Sequence, residues 1–560
     1  MMVSESLHFH VNDVPHFTEI ILFGLQQMLV CISALLVTPY LLSNMLCAGT
    51  ETIAIRVQLI AATFVTTGIA TILQTTFGLR LAILHGPSFA FLPALHAFEE
   101  LYPCTSETDT NLWKEKMQLV HSLTVIQNFS FPFQISGSLF LAVLIMPIMG
   151  VTGLVGKISK HIGPITIVPM LVLLCIGTVP DIQEKVSLHW ISIVEILLLI
   201  VFVVLLEDLE VPIPGYSFSE KKFIYTRLQM FSQFPYLLGI CIAWFLCFLL
   251  TITNLEPSGS PARTDLNESV FVFDQTPWIQ VQYPLQFGFP KFSFQLIIAF
   301  TASTVVVMIE SVGNYGICAQ ISQQGSPPSS SINRAFVVEG VGSMLAALMG
   351  CGTGVTTYSE NIAIMQVTKV TSRITMQCAG VFLILMGVVS KVAAFLAMIP
   401  EAIIGGVLAA GMSMVCGVAF ANLQNVDLRL SRNITIVGLS IILGCTIPAH
   451  FKKNPLDTGH KTMDDVLGTL LKMRMLVGGL IAFCLDLMAR GATRGQRGLE
   501  ERIEQRDLAI ERDGFAFSRF ANQTILKIPS ITKLPVMPSE RSIRQVEELR
   551  SNGEKSKEKI

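Results

Sequence analysis

The chain has 560 residues, 51% of them hydrophobic and only 14% charged, with a mean hydropathy of +0.60. Soluble proteins carry about 25% charged residues, so a globular enzyme of this length would lack the polar groups to cover its surface. The net charge of −2 excludes the strongly basic surface that marks a nucleic-acid-binding protein. This is the composition of a polytopic helical protein whose solvent is a lipid bilayer.

Apolar runs able to cross a hydrocarbon layer of about 30 Å fall first at 17–42, 52–76, 135–156, 161–179, 187–206 and 229–252. After a polar interval they resume at 292–318, 335–350, 375–399, 402–420, 433–449 and 469–489. Two further segments are interrupted. Leu81 to Phe98 contains Gly86, Pro87 and Pro93, and Gly352 to Thr368 contains two glycines and many hydroxyls. Each begins about sixty residues after a long helix starts, near Phe17 and near Phe292. Gly/Pro-interrupted segments at matching places in two halves point to a transporter's midplane site, because irregular backbone at membrane depth must be enclosed by protein or line a cavity. The predicted fold is all-α: fourteen transmembrane segments as seven-plus-seven inverted repeats, with segments 3 and 10 broken. Most of the twelve cysteines lie in apolar runs without metal spacing, where cysteine acts as a small hydrophobe. The N-terminus has no basic region before its first long run, so no cleaved signal peptide is expected.

Loop charge sets the orientation. With both termini cytoplasmic, the inner loops carry Arg80, Lys157, Lys160, Lys221, Lys222, Arg227, Arg334, Lys369, Arg373, Arg429 and Arg432. The outer loops carry fewer, Lys452, Lys453 and Lys461 among them. The sequons at Asn128 and Asn267 then fall outside, in agreement. The expected organisation is a cytoplasmic N-terminus (1–16), a transmembrane domain (17–489) and a cytoplasmic, largely disordered tail with some helix (490–560).

Carboxylates in apolar segments are costly, and each is a functional hypothesis. Glu310 follows Thr304-Val-Val-Val-Met-Ile and precedes Ser311, Gly313 and Asn314. Glu360 lies in the second interrupted segment beside Asn361, and Glu339 lies in the helix before it. Asp486, late in the last span, reads as structural. Gln26 and Gln27 place amides in the first helix. Ser88 follows Gly86-Pro87, and Phe89 and Phe91 offer an aromatic wall for a flat ring. His85, near the start of its segment, reads as structural.

The run Tyr358-Ser-Glu-Asn-Ile-Ala-Ile-Met-Gln-Val-Thr-Lys369 resembles the signature of the nucleobase–ascorbate transporters, solute carrier family 23. Glu360, Asn361, Thr368 and Lys369 fit that signature; Ala363 stands where the family has glycine. Glu310-Ser-Val-Gly-Asn-Tyr315, Ser331-Ile-Asn-Arg334, Glu339-Gly340, Gly405-Gly406, Asn422-Leu-Gln424, Val426-Asp427, Ser431-Arg-Asn433, Ala262-Arg-Thr-Asp265 and Pro277-Trp278 resemble its animal branch, which contains the sodium-dependent vitamin C transporters. The resemblance implies a core domain (segments 1–4 and 8–11), a gate domain (5–7 and 12–14), homodimers and elevator-like movement. It implies that Glu310 and Glu360 hold a nucleobase by its N–H edge, with Ser88 helping to line the site; Asn361, beside Glu360, and Phe89, beside Ser88, complete the candidate substrate site. Gln27, Asn314 and Glu339 then fall at the coupling-cation site. Three departures matter. Gln27 and Asn314 replace the family's His and Asp, and Glu360 replaces the proline of vitamin C transporters.

An acceptor-only carboxylate suits the adjacent N–H donors of a nucleobase. The predicted function is therefore secondary active transport of a purine or pyrimidine, such as uracil, xanthine, hypoxanthine or urate, across the plasma membrane. The alternative substrate is L-ascorbate, an anion that two carboxylates repel. A transport-incompetent sensor or scaffold is a further alternative. No enzymatic activity, resident cofactor or metal is expected, only co-transported Na⁺ or H⁺. Replacing a coordinating carboxylate by an amide weakens a Na⁺ site, which favours H⁺.

Overall fold

Runs this apolar need no amphipathic stripe, because lipid solvates whatever face the protein leaves free. The computed structural model describes residues 7–46, 48–101, 135–217, 222–288, 292–499, 514–528 and 530–557. The sequon at Asn128 and residue Lys221 lie outside them. The helices that position the site begin with α1 (Phe17–Met45), α2 (Thr52–Thr76) and α3 (Leu92–Leu101). They continue as α4 (Ile135–Val143), α5 (Ile145–Thr152), α6 (Pro164–Gly177), α7 (Val179–Val186), α8 (Ile191–Ile200) and α9 (Pro235–Ile252). The second half contributes α10 (Phe294–Ile321), α11 (Ser329–Leu348), α12 (Ser359–Thr368), α13 (Arg373–Val388), α14 (Ser390–Ala397) and α15 (Glu401–Asn422). It ends with α16 (Ser431–Lys453), α17 (Lys461–Lys472) and α18 (Arg474–Met488).

Among the described residues, eight helices are long and apolar enough to cross a membrane, and ten if each sharply bent pair counts as one span. The bent pairs are α13 with α14, at 81°, and the end of α17 with α18, at 79°. Other expected segments fall below that test for visible reasons. The helix expected at 335–350 begins earlier, at Ser329, and so takes in Asn333 and Arg334. The one expected at 187–206 is a shorter apolar helix, Ile191–Leu205.

Two small sheets interrupt the helical architecture that the sequence predicts as all-α. β1 (His85–Pro87) pairs antiparallel with β4 (Val355–Thr357), in the register His85 with Thr357, Gly86 with Thr356 and Pro87 with Val355. β2 (Val211–Ser217) and β3 (Lys222–Leu228) form a hairpin between α8 and α9. The β1 conformation follows from sequence: the residue before a proline is driven out of the helical region, and here that residue is Gly86. The pairing partner, about 270 residues away, does not.

The helices sort into two packing groups. α1–α5 and α10–α14 pack among themselves around β1 and β4; α6–α9, α15, α16 and α18 form the second group. In the first group, α2 lies on α13 and α11 lies on α4 and α5. Both contacts depend on glycine. A Cβ on Gly68 would sit 2.4 Å from the Gly380 carbonyl oxygen, and one on Gly340 would sit 2.4 Å from Cδ of Pro147. Backbones approach closely in lipid only where side chains are absent or small.

The tail beyond residue 490 contributes described contacts of its own. Arg497, with Arg432, pairs with the buried Asp486 at 2.7 and 2.8 Å, placing Asp486 in an ion-pair network. Phe517 stacks beneath the guanidinium groups of Arg80 and Arg334, at 5.1 and 4.4 Å.

The helix contacts predict that Gly68→Ala costs roughly 1–3 kcal/mol, the usual range for overpacking. The purified protein should then show a lower thermal-unfolding midpoint in detergent. An unchanged midpoint would mean that α2 and α13 do not pack this closely.

Candidate functional site

Buried backbone polar groups need partners, and the β1–β4 pair supplies them for both glycine-containing stretches. Beyond the ladder, Ser88 N–H donates to the Gly354 carbonyl at 3.0 Å, and Tyr358 N–H to the Leu84 carbonyl at 3.0 Å. The Tyr358 hydroxyl donates to the Pro87 carbonyl at 3.2 Å. Its ring fills the space a side chain at Gly86 would need, with Cζ 2.4 Å from the position of an added Cβ. Each strand then feeds a helical start. Ser88 caps the turn Phe89–Phe91, its Oγ accepting from Ala90 N–H at 3.2 Å, and α3 follows. Tyr358 precedes α12, whose first turn carries Glu360. An acidic side chain there faces the positive end of the helix.

α10 crosses beside both starts and brings Glu310. Its carboxylate is buried, interacts with the Ser88 side chain, and feels the charges of Glu339 and Glu360. Its Oε2 has no hydrogen-bond partner among the described residues. An acceptor left without a donor in an enclosed site is suited to a ligand's N–H. Glu360 also lines a mainly apolar cavity of about 430 Å³ between the two helix groups, together with Val30, Tyr236, Ala410, Ser413 and Met414. Phe89 is buried one residue from Ser88.

The amides close the remaining gaps. Asn361 Nδ2 donates to both the backbone carbonyl and the side-chain oxygen of Gln27, at 2.9 and 2.8 Å, which ties α12 to α1. Asn314 Nδ2 donates to the Thr357 carbonyl at 2.9 Å, which ties α10 to β4. Glu339 accepts from Ser311 at 2.6 Å and from the Tyr315 hydroxyl. Tyr315 in turn accepts from Gln74 at 3.1 Å. Asn314 therefore presents a donor to a backbone carbonyl where a carboxylate would need a cation between itself and that oxygen.

The candidate residues thus gather around the β1–β4 pair from five elements. Gln26 points elsewhere and donates to Gln233 of the second helix group at 2.9 Å. Sequence reasoning passed over Ser311, Tyr315, Tyr358 and Gln74. Hydroxyls and amides in apolar helices are too common to single out one by one. It also passed over Glu195, a carboxylate in the apolar run Ile191–Ile200 that the same criterion should have caught. Glu195 lies away from this cluster, fully buried against Gly406 in the second group, and neither of its oxygens has a described partner.

A buried polar cluster inside a bundle of helices long and apolar enough to span a membrane fits a membrane permease. The Permease family model matches residues 18–453, and the chain belongs to that family, among the nucleobase–ascorbate transporters of solute carrier family 23. It is 34% identical over 543 residues to human solute carrier family 23 member 2, covering 95% of this chain and 82% of that one. It is 32% identical over 512 residues to mouse solute carrier family 23 member 1, covering 88% and 81%. It is 26% identical over 547 residues to nucleobase-ascorbate transporter 12 of Arabidopsis thaliana, covering 89% and 72%. The family is one of permeases rather than enzymes.

The Gln27–Asn361 contact generates a prediction. Asn361→Asp sets a carboxylate against two oxygens that now receive N–H donors. Lost buried hydrogen bonds cost roughly 1–3 kcal/mol each, so uptake should fall about tenfold or more while the protein still reaches the membrane. Unchanged uptake would remove Asn361 from the site's support.

Proposed function

We propose that this chain is a secondary active transporter that carries a nucleobase across the plasma membrane, as a homodimer with both termini cytoplasmic. Fourteen segments in two inverted halves are the reading that best accounts for the packing. The first half is α1, α2, β1–α3, α4–α5, α6, α8 and α9. The second is α10, α11, β4–α12, α13–α14, α15, α16 and α18. Segments 2 and 9 each pack on the fourth segment of the other half, and so do segments 1 and 8; segments 3 and 10 pair through their strands. The first helix group is the core that carries substrate, and the second is the gate against which it slides.

The observation that carries the substrate assignment is Glu310 beside Glu360, with an unpartnered carboxylate oxygen on Glu310. Carboxylates accept and do not donate, so the fitting ligand presents N–H groups on a flat ring edge. Ascorbate is an anion at neutral pH, and two carboxylates disfavour it unless a cation intervenes. The coupling ion we assign is H⁺ in preference to Na⁺. Asn314 and Asn361 supply N–H donors to the oxygens that a sodium ion would otherwise bridge, and hard cations favour anionic oxygen.

Two experiments test this. Glu310→Gln keeps the size of the side chain but loses charge-assisted hydrogen bonds worth roughly 1.5–3 kcal/mol each, so nucleobase uptake should fall at least tenfold with surface expression retained. Glu360→Pro should also abolish it. Normal uptake by a well-expressed Glu310→Gln protein would sink the assignment. For coupling, native uptake should depend weakly on Na⁺ and rise as external pH falls, whereas Asn314→Asp should make it Na⁺-dependent. A steep, saturable Na⁺ requirement in the native protein, with no response to pH, contradicts H⁺ coupling.

A further inference from the structure

A second cavity, of about 660 Å³, lies on the side of the molecule opposite the inner ends of α1 and α12. Under the orientation proposed above, it is an external vestibule. The core contributes Leu92, Pro93 and His96 of α3, and the gate contributes Leu173, Leu174 and Asp181. Its floor borders the substrate site. Leu92 directly follows the Ser88-capped turn, and Leu174 precedes Cys175, which lies close enough to Glu310 to feel its charge.

Across this vestibule the His96 imidazole joins α3 of the core to α7 of the gate, beside a contact in which Gln295 Nε2 of α10 donates to Thr469 Oγ1 of α17 at 3.3 Å. His96 Nε2 lies 3.0 Å from the Asp181 carboxylate of α7, and Nδ1 lies 3.3 Å from the Glu99 carboxylate on its own helix. A neutral imidazole donates from only one nitrogen, whereas the imidazolium donates from both. Two carboxylates facing the two ring nitrogens therefore select the charged form. The other charged groups around the vestibule are Glu184 on α7, Lys452 on α16, Asp464 and Lys472 on α17, and Arg474 on α18. Arg474 is held by the Ile176 carbonyl at 3.0 Å. A different core–gate ion pair, Arg56 with Glu401 at 2.5 Å, sits beside the chain crossing at Met398–Pro400, where Tyr40 also donates to the Ile399 carbonyl at 2.8 Å. It can serve as a pivot without breaking. Lys185, one turn along α7 from Asp181, reaches Glu401 at 3.6 Å, so α7 is tied to that pivot on the gate side, whereas His96 rides on α3 and parts from Asp181 when α3 slides with the core.

We infer that His96 and Asp181 form an external latch, closed in this structure, that holds the core against the gate while His96 is charged. External pH then sets how readily the vestibule opens toward the Glu310 site. The latch rests on the core–gate movement proposed above. It acts on conformation and adds no group to substrate binding.

The test uses cysteine labelling in whole cells with a membrane-impermeant, charged thiol reagent. Leu174→Cys reports on the vestibule floor, and Val179→Cys, at an exposed position on the same side, corrects for thiol chemistry. Labelling is measured above that of the parent protein. With His96 present, the Leu174-to-Val179 labelling ratio should rise roughly two- to fivefold between about pH 7 and about pH 9.5, a window above the ordinary histidine range because the two carboxylates favour the charged imidazole. His96→Gln should give the high ratio at both pH values, and Asp181→Asn should do the same. His96→Arg keeps a cation and should hold the ratio low at both. A flat ratio in the native protein, unchanged by His96→Gln, overturns the latch. Val367→Cys, at the inner cavity, separates this from the movement itself. If His96→Gln raises labelling at Leu174 but leaves labelling of Val367→Cys in inside-out vesicles unchanged, the sliding of core against gate is overturned and the latch built on it falls too; if labelling at Leu174 alone fails to respond, only the latch is overturned.

Discussion

The structure depends on one constraint: buried polypeptide that leaves the helix must find partners for its backbone in other polypeptide. Here two interrupted segments, distant in sequence, satisfy each other across β1 and β4. The solution is economical in residues and demanding in shape. Gly86 admits the Tyr358 ring, and Ser88 reaches the Gly354 carbonyl. Because the strands pair, the two helical starts beyond them are held at fixed separation, and α10, crossing beside both, brings Glu310 within electrostatic range of Glu360.

Charge in this centre is handled by hydrogen bonding more than by ion pairing. Glu339 is satisfied by two hydroxyls, and Asn314 and Asn361 face carbonyl oxygens with N–H groups. Buried acceptors without donors are expensive, so these amides are part of what keeps the strand pair and α12 in place. Ion pairs appear elsewhere, where helix groups or ends are fastened: Asp486 with Arg432 and Arg497, and Arg56 with Glu401. Glu310 keeps one oxygen without a partner among the described residues, and so do the amides of Asn361 and Gln74.

Much of this was legible in the sequence. Glu310, Glu339 and Glu360 stand out as carboxylates in apolar runs, and Gly86-Pro87 announces a break whatever lies around it. The helices fall near the expected positions because twenty apolar residues have few alternatives in lipid. What stayed hidden depends on contacts between distant residues. Nothing local pairs His85 with Thr357, points the Tyr315 hydroxyl at Glu339, or joins His96 to Asp181. The β2–β3 hairpin passed unnoticed within a polar interval, and Glu195 was missed although its local signal was as strong as that of Glu339. The tail is a related case: Phe517 reads as one of three phenylalanines, with Phe515 and Phe520, and only the fold shows that Arg80 and Arg334 stack on it.

The central claim is that two neighbouring carboxylates select a ligand with N–H donors. The most direct measurement is competition between unlabelled compounds and a radiolabelled nucleobase for uptake by cells expressing the native protein. The compounds are uracil, xanthine, hypoxanthine, urate, ascorbate and nucleobase analogues methylated at the ring nitrogens. The account predicts that at least one parent nucleobase is taken up and competes, that its N-methylated analogue competes poorly, and that ascorbate does not compete. Robust ascorbate uptake, indifferent to every nucleobase, would contradict it.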